Sequence, residues 1–345
     1  MIAFCVDATP HVGMGHLVRC RVLADALLAA GQKAIMYGPA RSYRVVEDET
    51  RFAAWCERTV DASIAADAAA FTAFAAAHGA KKAVIDDYRA NEVFQRVLQD
   101  AGIDWLQQFD ASREQVFLGR LVVNASPYER PEHYRAVASH PQVEFLLGPR
   151  YAILREEFEG IVVPEPNGRT GNIFLSFGGG DDKGAALGVL SALQPIAGPD
   201  TRLHLVSGAS NPRIAEISAR IEREDWKNVV LHVNPPNIPN LMVASDLAIL
   251  GGGTTTYEAA RCGLPMLLLA IAENQVRQSQ GWENLGAARY LGRWGDVTPG
   301  EIAEAYATLV ASTGPAAEMA RRGSQLVDCG GTRRLINMLL KGVEE

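Results

Sequence analysis

The sequence predicts an α/β protein of two Rossmann-like α/β/α domains. Three observations predict it. Short apolar runs alternate with stretches of helical periodicity along most of the chain. Strands of that kind, separated by helices, imply parallel sheets covered on both faces. The chain has 345 residues, 48% of them hydrophobic, which is enough for two cores. Near its middle, Val162-Val163-Pro164-Glu165-Pro166-Asn167-Gly168-Arg169 has no periodicity and reads as a linker. The expected domains are residues 1–163 and 164–345, the last helices being free to pack back on the first domain. Such domains place a cleft between them, and ligands of open α/β sheets bind off the carboxyl ends of the strands.

In order along the chain, Ile2–Val6 is a short apolar run ending at Asp7. A glycine-containing loop and a helix follow, with Val18, Val22, Leu23, Ala26, Leu27 and Ala30 at helical spacing and Gly31 as its stop. Further strands are expected at 33–37, 83–85, 104–107, 121–124 and 143–146. Helices are expected over 62–77, an alanine-rich stretch, and over 91–101. After the linker, strands are expected at 172–176, 203–206, 229–232, 247–250 and 266–269. Helices lie near 184–193, 213–224, 238–244 and 257–261, and the tail is helical over 302–309, 316–326 and 333–340.

Composition excludes several classes. A formal net charge of −7 with a normal apolar fraction excludes disorder as the main state. The acidic balance, 33 basic against 40 acidic residues, argues against nucleic acid as a partner. The longest apolar run, Leu264–Ala272, is about half of what a bilayer needs and is closed by Glu273. The N-terminus has no basic run, and Asp7 interrupts its apolar stretch, so no signal peptide is expected and the expected location is cytoplasmic. Five scattered cysteines without a CxxC pair indicate neither a disulfide framework nor a zinc site. No metal or cofactor is expected, and the expected state is a monomer.

Four stretches carry chemistry. In Gly13-Met14-Gly15-His16, after the first strand and Asp7, the glycines allow a tight turn and close backbone approach, and the next helix offers free N–H groups to an anion. Val18 stands where a dinucleotide fingerprint needs a third glycine. His16 would stand at the mouth of the cleft; a catalytic role and a turn-stabilising hydrogen bond both fit its spacing. Phe177-Gly178-Gly179-Gly180-Asp181-Asp182 suits a ligand approach or an ordinary turn, and adjacent carboxylates like its pair more often diverge or solvate than chelate. In Gly251-Gly252-Gly253-Thr254-Thr255-Thr256-Tyr257-Glu258, backbone amides and threonine hydroxyls at a helix start suit a diphosphate, and Glu258 suits a ribose diol; Thr254 as a plain cap is the alternative. The polar trio Glu273-Asn274-Gln275 ends a very apolar strand on the same side, either facing a ligand or capping a helix from Asn274.

Together with Leu147-Gly148-Pro149-Arg150-Tyr151-Ala152, these motifs resemble, in order, those of the UDP-2,4-diacetamido-2,4,6-trideoxy-β-L-altropyranose hydrolases of pseudaminic acid biosynthesis, enzymes linked to flagellin glycosylation. The second half also resembles the nucleotide-sugar domain of the peptidoglycan N-acetylglucosaminyltransferase and of other GT-B glycosyltransferases. The resemblance spans about residues 1–335 and implies a GT-B-like fold and a nucleotide-sugar substrate. It implies His16 as catalytic base with Tyr88, in Asp86-Asp87-Tyr88, beside it. It implies Thr254 and Thr255 as the diphosphate cradle and Glu258 as the ribose ligand. Asn274 and Gln275 would touch phosphate or sugar, and Asn237-Ile238 the uracil. Asp7, Gly13, Gly15, Gly179, Gly253 and Glu273 complete the expected substrate contacts. The chain departs from the family at Cys5, where an arginine is usual, and at Gly180, where a serine is usual.

The chemistry agrees. UDP is a good leaving group whose developing charge oriented amides can stabilise, and one base must activate water on the opposite face. Direct displacement gives inversion, as in single-step glycosidases. The expected reaction is metal-independent cleavage of the anomeric C–O bond of a UDP-sugar. An inverting glycosyltransferase, with an acceptor hydroxyl in place of water, and a non-catalytic nucleotide-sugar binder are the alternatives.

Overall fold

A computed structural model of the chain describes residues 1–8, 14–59, 62–110, 116–134, 142–164, 171–198, 200–311 and 313–341. They form two compact units, Met1–Glu156 with Cys329–Glu345, and Glu157–Asp328. The chain passes into the second unit before its proline-rich stretch. Arg261 Nη2 donates to the Ile161 carbonyl at 2.8 Å, and Val163 packs where any Cβ on Gly263 would sit, so this segment belongs with the second unit. Residues 165–170 of the stretch lie outside the described residues.

The first unit holds strands β1 (Ile2–Val6), β2 (Ala34–Gly38), β3 (Phe52–Glu57), β4 (Lys82–Asp86), β5 (Asp104–Gln108), β6 (Leu121–Asn124) and β7 (Glu144–Leu147). They form one sheet in the order β3-β2-β1-β4-β5-β6-β7, every pair parallel. Its helices are α1 (Gly15–Ala29), α2 (Asp48–Arg51), α3 (Ile64–Ala77), α4 (Glu92–Asp100) and, from the far end of the chain, α12 (Gly331–Leu340). Ser63 Oγ and Asn91 Oδ1 cap α3 and α4 by accepting the Ala66 and Phe94 N–H groups. Gly31, at φ +75°, ends α1 in the left-handed conformation that an L side chain resists.

One face of this sheet, with Ile2, Phe4 and Val6, packs on Leu17, Cys20, Leu23, Ala24 and Leu27 of α1 and on Leu335, Ile336 and Leu339 of α12. The other, with Ala3 and Cys5, packs on Ala68, Phe71 and Ala75 of α3 and Phe94 and Leu98 of α4. The carboxyl end of α12 is held by Lys82, whose Nζ donates to the Leu339 and Leu340 carbonyls at 2.6 and 3.0 Å, and by Arg120, whose Nη2 donates to the Met338 carbonyl at 3.1 Å. Cations there complement the helix dipole. The buried stripe of α1 differs from the expected one: Val18 is 41% exposed, because Leu17 and Cys20 take the inward positions.

The second unit holds β8 (Asn172–Ser176), β9 (Arg202–Ser207), β10 (Val229–Val233), β11 (Leu247–Gly251), β12 (Met266–Ala270) and β13 (Ala288–Arg293), in the order β10-β9-β8-β11-β12-β13, again all parallel. Its helices are α5 (Ala185–Leu193), α6 (Ile214–Arg223), α7 (Ile238–Val243), α8 (Thr255–Arg261), α9 (Glu273–Asn284), α10 (Pro299–Ala311) and α11 (Thr313–Leu326). Ile173, Leu175, Leu203, Leu205, Ile249 and Leu267 form its core with α5 and α10. On the opposite face, His204 Nδ1 lies 3.1 Å from His232 Nε2, and His204 Nε2 lies 3.3 Å from Asn172 Oδ1. Burial pushes both imidazoles below their ordinary value, and His232 and Arg202 push His204 further.

In each sheet the strand order reverses direction at one point, between β1 and β4 and between β8 and β11. Carboxyl ends at such a switch point are where open α/β sheets hold ligands. No helix among the described residues is long and apolar enough to cross a membrane.

Candidate functional site

In the first unit, the switch point gathers the ends of β1, β4 and β5 around the start of α1. Asp7 follows β1, and its N–H donates to the Asp86 carbonyl at 3.0 Å. His16, the second residue of α1, is buried at 5% exposure. Its Nδ1 lies 3.2 Å from both the carbonyl and a carboxylate oxygen of Asp86, the last residue of β4. Arg19, one turn further along α1, grips the same carboxylate bidentately through Nε and Nη2 and reaches Asp110 with Nη1 at 3.0 Å. The His16 and Tyr88 rings meet edge to face, centroids 4.8 Å apart.

Tyr88 also hydrogen-bonds Asp110, and burial together with that carboxylate raises its phenol well above the usual value, so the hydroxyl stays protonated. Burial opposes ionisation of Asp110, but Arg19 and the Tyr88 hydroxyl outweigh it and hold the carboxyl below its ordinary value. Asp7 behaves oppositely: burial, then the neighbouring Asp87, push its carboxyl up, with Arg58 and His16 only partly compensating. Arg58 pairs with Asp87 and Asp67 and touches Cys5 Sγ at 3.6 Å, so a guanidinium from the end of β3 reaches the position where the sequence shows Cys5. A Cβ on Gly15 would meet no protein atom within 4 Å, and Gly13 lies outside the described residues.

In the second unit, the Gly178–Gly184 turn follows β8 and the Gly252–Thr254 turn follows β11. Gly178 adopts φ +97°, and a Cβ on Gly208 would lie 2.5 Å from Gly179 Cα, so the first turn folds tightly over the end of β9. Asp181 and Asp182 diverge. Asp181 accepts from Lys183 N–H and Arg213 Nε, both at 2.9 Å, and buried Asp182 accepts from Gly184 N–H and Asn211 Nδ2. No group of three His, Cys, Asp or Glu side chains that could hold a metal ion occurs among the described residues.

Gly252 N–H donates to Gln275 Oε1 at 3.1 Å, and the same oxygen accepts Ile271 N–H at 3.0 Å. Gln275 thus fastens the turn, with its Nε2 on the Gly253 side. Beneath, buried Thr256 donates from Oγ1 to the Gly253 carbonyl at 2.7 Å and accepts from Trp282 Nε1 at 2.9 Å. The N–H groups of Gly253, Thr254 and Thr255 find no acceptor among the described residues. Thr254 caps α8 by position without a side-chain bond and is exposed, and Thr255 and Glu258 are half-buried. The turn therefore presents backbone donors and hydroxyls outward.

Glu273 and Asn274 begin α9, and Asn237 and Ile238 stand at the start of α7. Asn274 does not cap α9; Ala272 does, and Asn274 is an exposed second residue of the helix. Glu273 pairs with Arg293 of β13. Asn237 and Ile238 open α7 beyond edge strand β10, three strands from β11, roughly 14 Å at the usual strand spacing of about 4.8 Å. Sequence reasoning singled out neither Arg19 nor Asp110, and used Asp86 only as part of a motif. Asp86 ends β4 and Asp110 lies two residues beyond β5, both at the carboxyl edge of the sheet.

No protein-family model matches the chain. Over 170 residues it is 29% identical to the spore coat polysaccharide biosynthesis protein SpsG of Bacillus subtilis (strain 168), covering 49% of each chain. Over 160 residues it is 28% identical to the uncharacterized protein MJ1062 of Methanocaldococcus jannaschii, covering 45% of this chain and 33% of that one. The chain thus spans half or less of the length of the curated relatives it matches. Among solved structures it is similar to Acinetobacter baumannii MurG, with a TM-score of 0.71, 14% identity and 99% of each chain covered. It is also similar to the calicheamicin glycosyltransferase CalG4, with a TM-score of 0.68, 15% identity and 100% and 99% covered. The spinosyn rhamnosyltransferase SpnG, complexed with thymidine diphosphate, gives a TM-score of 0.67 at 14% identity, with 99% and 100% covered. Two parallel sheets of seven and six strands, matched over nearly the full chain by these structures, make this a GT-B fold.

Proposed function

We propose that the chain is a UDP-sugar hydrolase. Its second unit takes the nucleotide and its first supplies the base that turns water on the anomeric carbon. The substrate that the motifs favour is UDP-2,4-diacetamido-2,4,6-trideoxy-β-L-altropyranose. The observation that carries this reading is the attachment of His16 Nδ1 to Asp86. A proton on Nδ1 shared with Asp86 leaves the lone pair on Nε2, the form a general base needs. Arg19 neutralises the Asp86 carboxylate and fixes its direction, so the imidazole is pre-oriented. At the other end of the reaction, the free N–H groups of Gly253–Thr255 suit the charge that builds on the departing diphosphate, and Glu258 suits the ribose hydroxyls. Similarity to a polysaccharide biosynthesis protein agrees with an activated sugar as substrate.

An inverting glycosyltransferase is the second reading. It is favoured by the solved structures of this fold, which include a rhamnosyltransferase complexed with thymidine diphosphate. Turnover in ¹⁸O-labelled water separates the two. Hydrolysis by attack on carbon labels the free sugar and leaves UDP unlabelled, the first sugar product having inverted configuration. Label in UDP or UMP refutes attack on carbon. UDP release that requires an added saccharide or lipid acceptor assigns the chain to the transferases.

A further inference from the structure

Five side chains around His16 close a ring. Asp86 holds His16 Nδ1 and takes both bonds of the Arg19 fork. Arg19 Nη1 donates to Asp110 at 3.0 Å, Asp110 accepts the Tyr88 hydroxyl, and the Tyr88 ring returns to His16. Four of the five already have a part in the hydrolase reading. Asp110 has none.

Its part follows from counting charge. A base that takes a proton becomes a cation, and a negative charge nearby favours that form. Asp86 is the obvious partner, but its side chain is only 1% exposed. A carboxylate so buried is stabilised by the guanidinium clamped to it. The clamp fixes the direction of Asp86 and also cancels its charge, so Asp86 and Arg19 alone are neutral. Asp110 is the second carboxylate on the same guanidinium. With it the three groups carry one net negative charge, the complement of one imidazolium. The Asp110 side chain is 38% exposed, so water supports its charge. Burial of the remainder opposes ionisation, and Arg19, the Tyr88 hydroxyl and His16 outweigh it.

The other groups facing this cluster do not supply that charge. Arg58 is paired with Asp67 and Asp87, and Arg89 with Asp67. Cys20 Sγ lies 3.6 Å from Asp86, and burial raises its thiol, which stays neutral. Asp7 also senses His16, but burial and Asp87 push its carboxyl up, the wrong direction for a counter-charge.

We propose that Asp110 is a positioning residue of the base: it takes up the charge of Arg19 and so leaves Asp86 able to stabilise the imidazolium of His16. In the step it serves, a proton passes from water to Nε2 and the water oxygen bonds the anomeric carbon. The electron pair of the broken C–O bond leaves with the diphosphate. The effect on rate rests on the hydrolase reading above; the effect on His16 does not.

Two measurements on the full chain test it. In ¹⁵N-histidine-labelled protein, NMR follows the titration of His16, its signal identified by its loss in His16→Asn. Asp110→Asn, which removes the charge and keeps an acceptor for Tyr88, should move the His16 midpoint down by roughly half a pH unit or more, the scale of one partly hydrated charge. Asp110→Glu should restore most of that shift, and Asp110→Ala repeats the test should Asp110→Asn not fold. In UDP-release assays Asp110→Asn should lose about tenfold in kcat, the scale of a lost hydrogen bond to a charged group, with KM little changed. The low-pH limb of its rate profile should move with the His16 midpoint. A midpoint that stays in place in the variants overturns the inference, whatever the chain turns over. A moved midpoint with unchanged kcat overturns the positioning role and leaves the hydrolase standing. A moved midpoint in a protein that releases UDP from no UDP-sugar upholds the charge assignment and sinks the hydrolase reading.

Discussion

Asp86 carries two loads: it holds His16 Nδ1 at 3.2 Å and takes both bonds of the Arg19 fork. Replacing it by asparagine offers His16 an amide that can donate to Nδ1, which favours the tautomer unable to act as base through Nε2. Turnover by His16→Ala should fall by roughly 100- to 10,000-fold, and by Asp86→Asn nearly as far. UDP affinity and melting temperature of His16→Ala should stay close to wild type. Steady-state UDP release with calorimetry measures both; a His16→Ala enzyme keeping more than about a tenth of the wild-type rate contradicts the base assignment. His16 was legible in the sequence because it follows two glycines at a helix start. Its partners were not, because Arg19 meets Asp86 across 67 positions and Asp110 across 91, a pairing that only strand order creates.

The turn after β11 is an element whose glycines are not equivalent. A Cβ on Gly252 would lie 2.3 Å from Ser279 Oγ and 2.8 Å from the Gln275 carbonyl oxygen, against the fixed backbone of α9. A Cβ on Gly253 would meet only Gln275 Nε2, at 3.8 Å. Gly252→Ala should therefore destabilise by about 1–3 kcal/mol, the usual cost of overpacking, and Gly253→Ala should be near neutral, as thermal melts of both will show. The sequence displayed this run of glycines but not which one α9 presses against. It also left β3 and β13 unread. Both lie at sheet edges, β3 being alanine-rich and β13 carrying Gly292 at φ +133° beside a register shift, so neither shows the apolar run that marks an inner strand. The inner strands, buried on both faces, were legible for the converse reason.

For the molecule as a whole, pH acts on the second unit through His204 and His232. Both are held below the ordinary imidazole value of 6.5, so the unfolded chain takes up protons first as pH falls. Stability should be full above about pH 6.5 and decline below it until the folded-state values are passed. Denaturant titrations at pH 7.5 and 5 should show the loss, and His204→Gln should flatten it; an unchanged profile refutes the assignment. The two units also differ in when they can be finished during synthesis. The second is one continuous segment and has all its elements once Asp328 has emerged. The first emerges earlier, yet Ile2, Phe4, Leu17 and Leu27 wait for Leu335, Ile336 and Leu339 to cover them, and Lys82 and Arg120 wait for the carbonyls they hold. At ribosomal rates of about 5–20 residues per second, that wait lasts on the order of ten seconds or more. The order of translation and the order of folding are thus reversed, and the half-made nascent chain presents to chaperones the apolar flank of its own first strand.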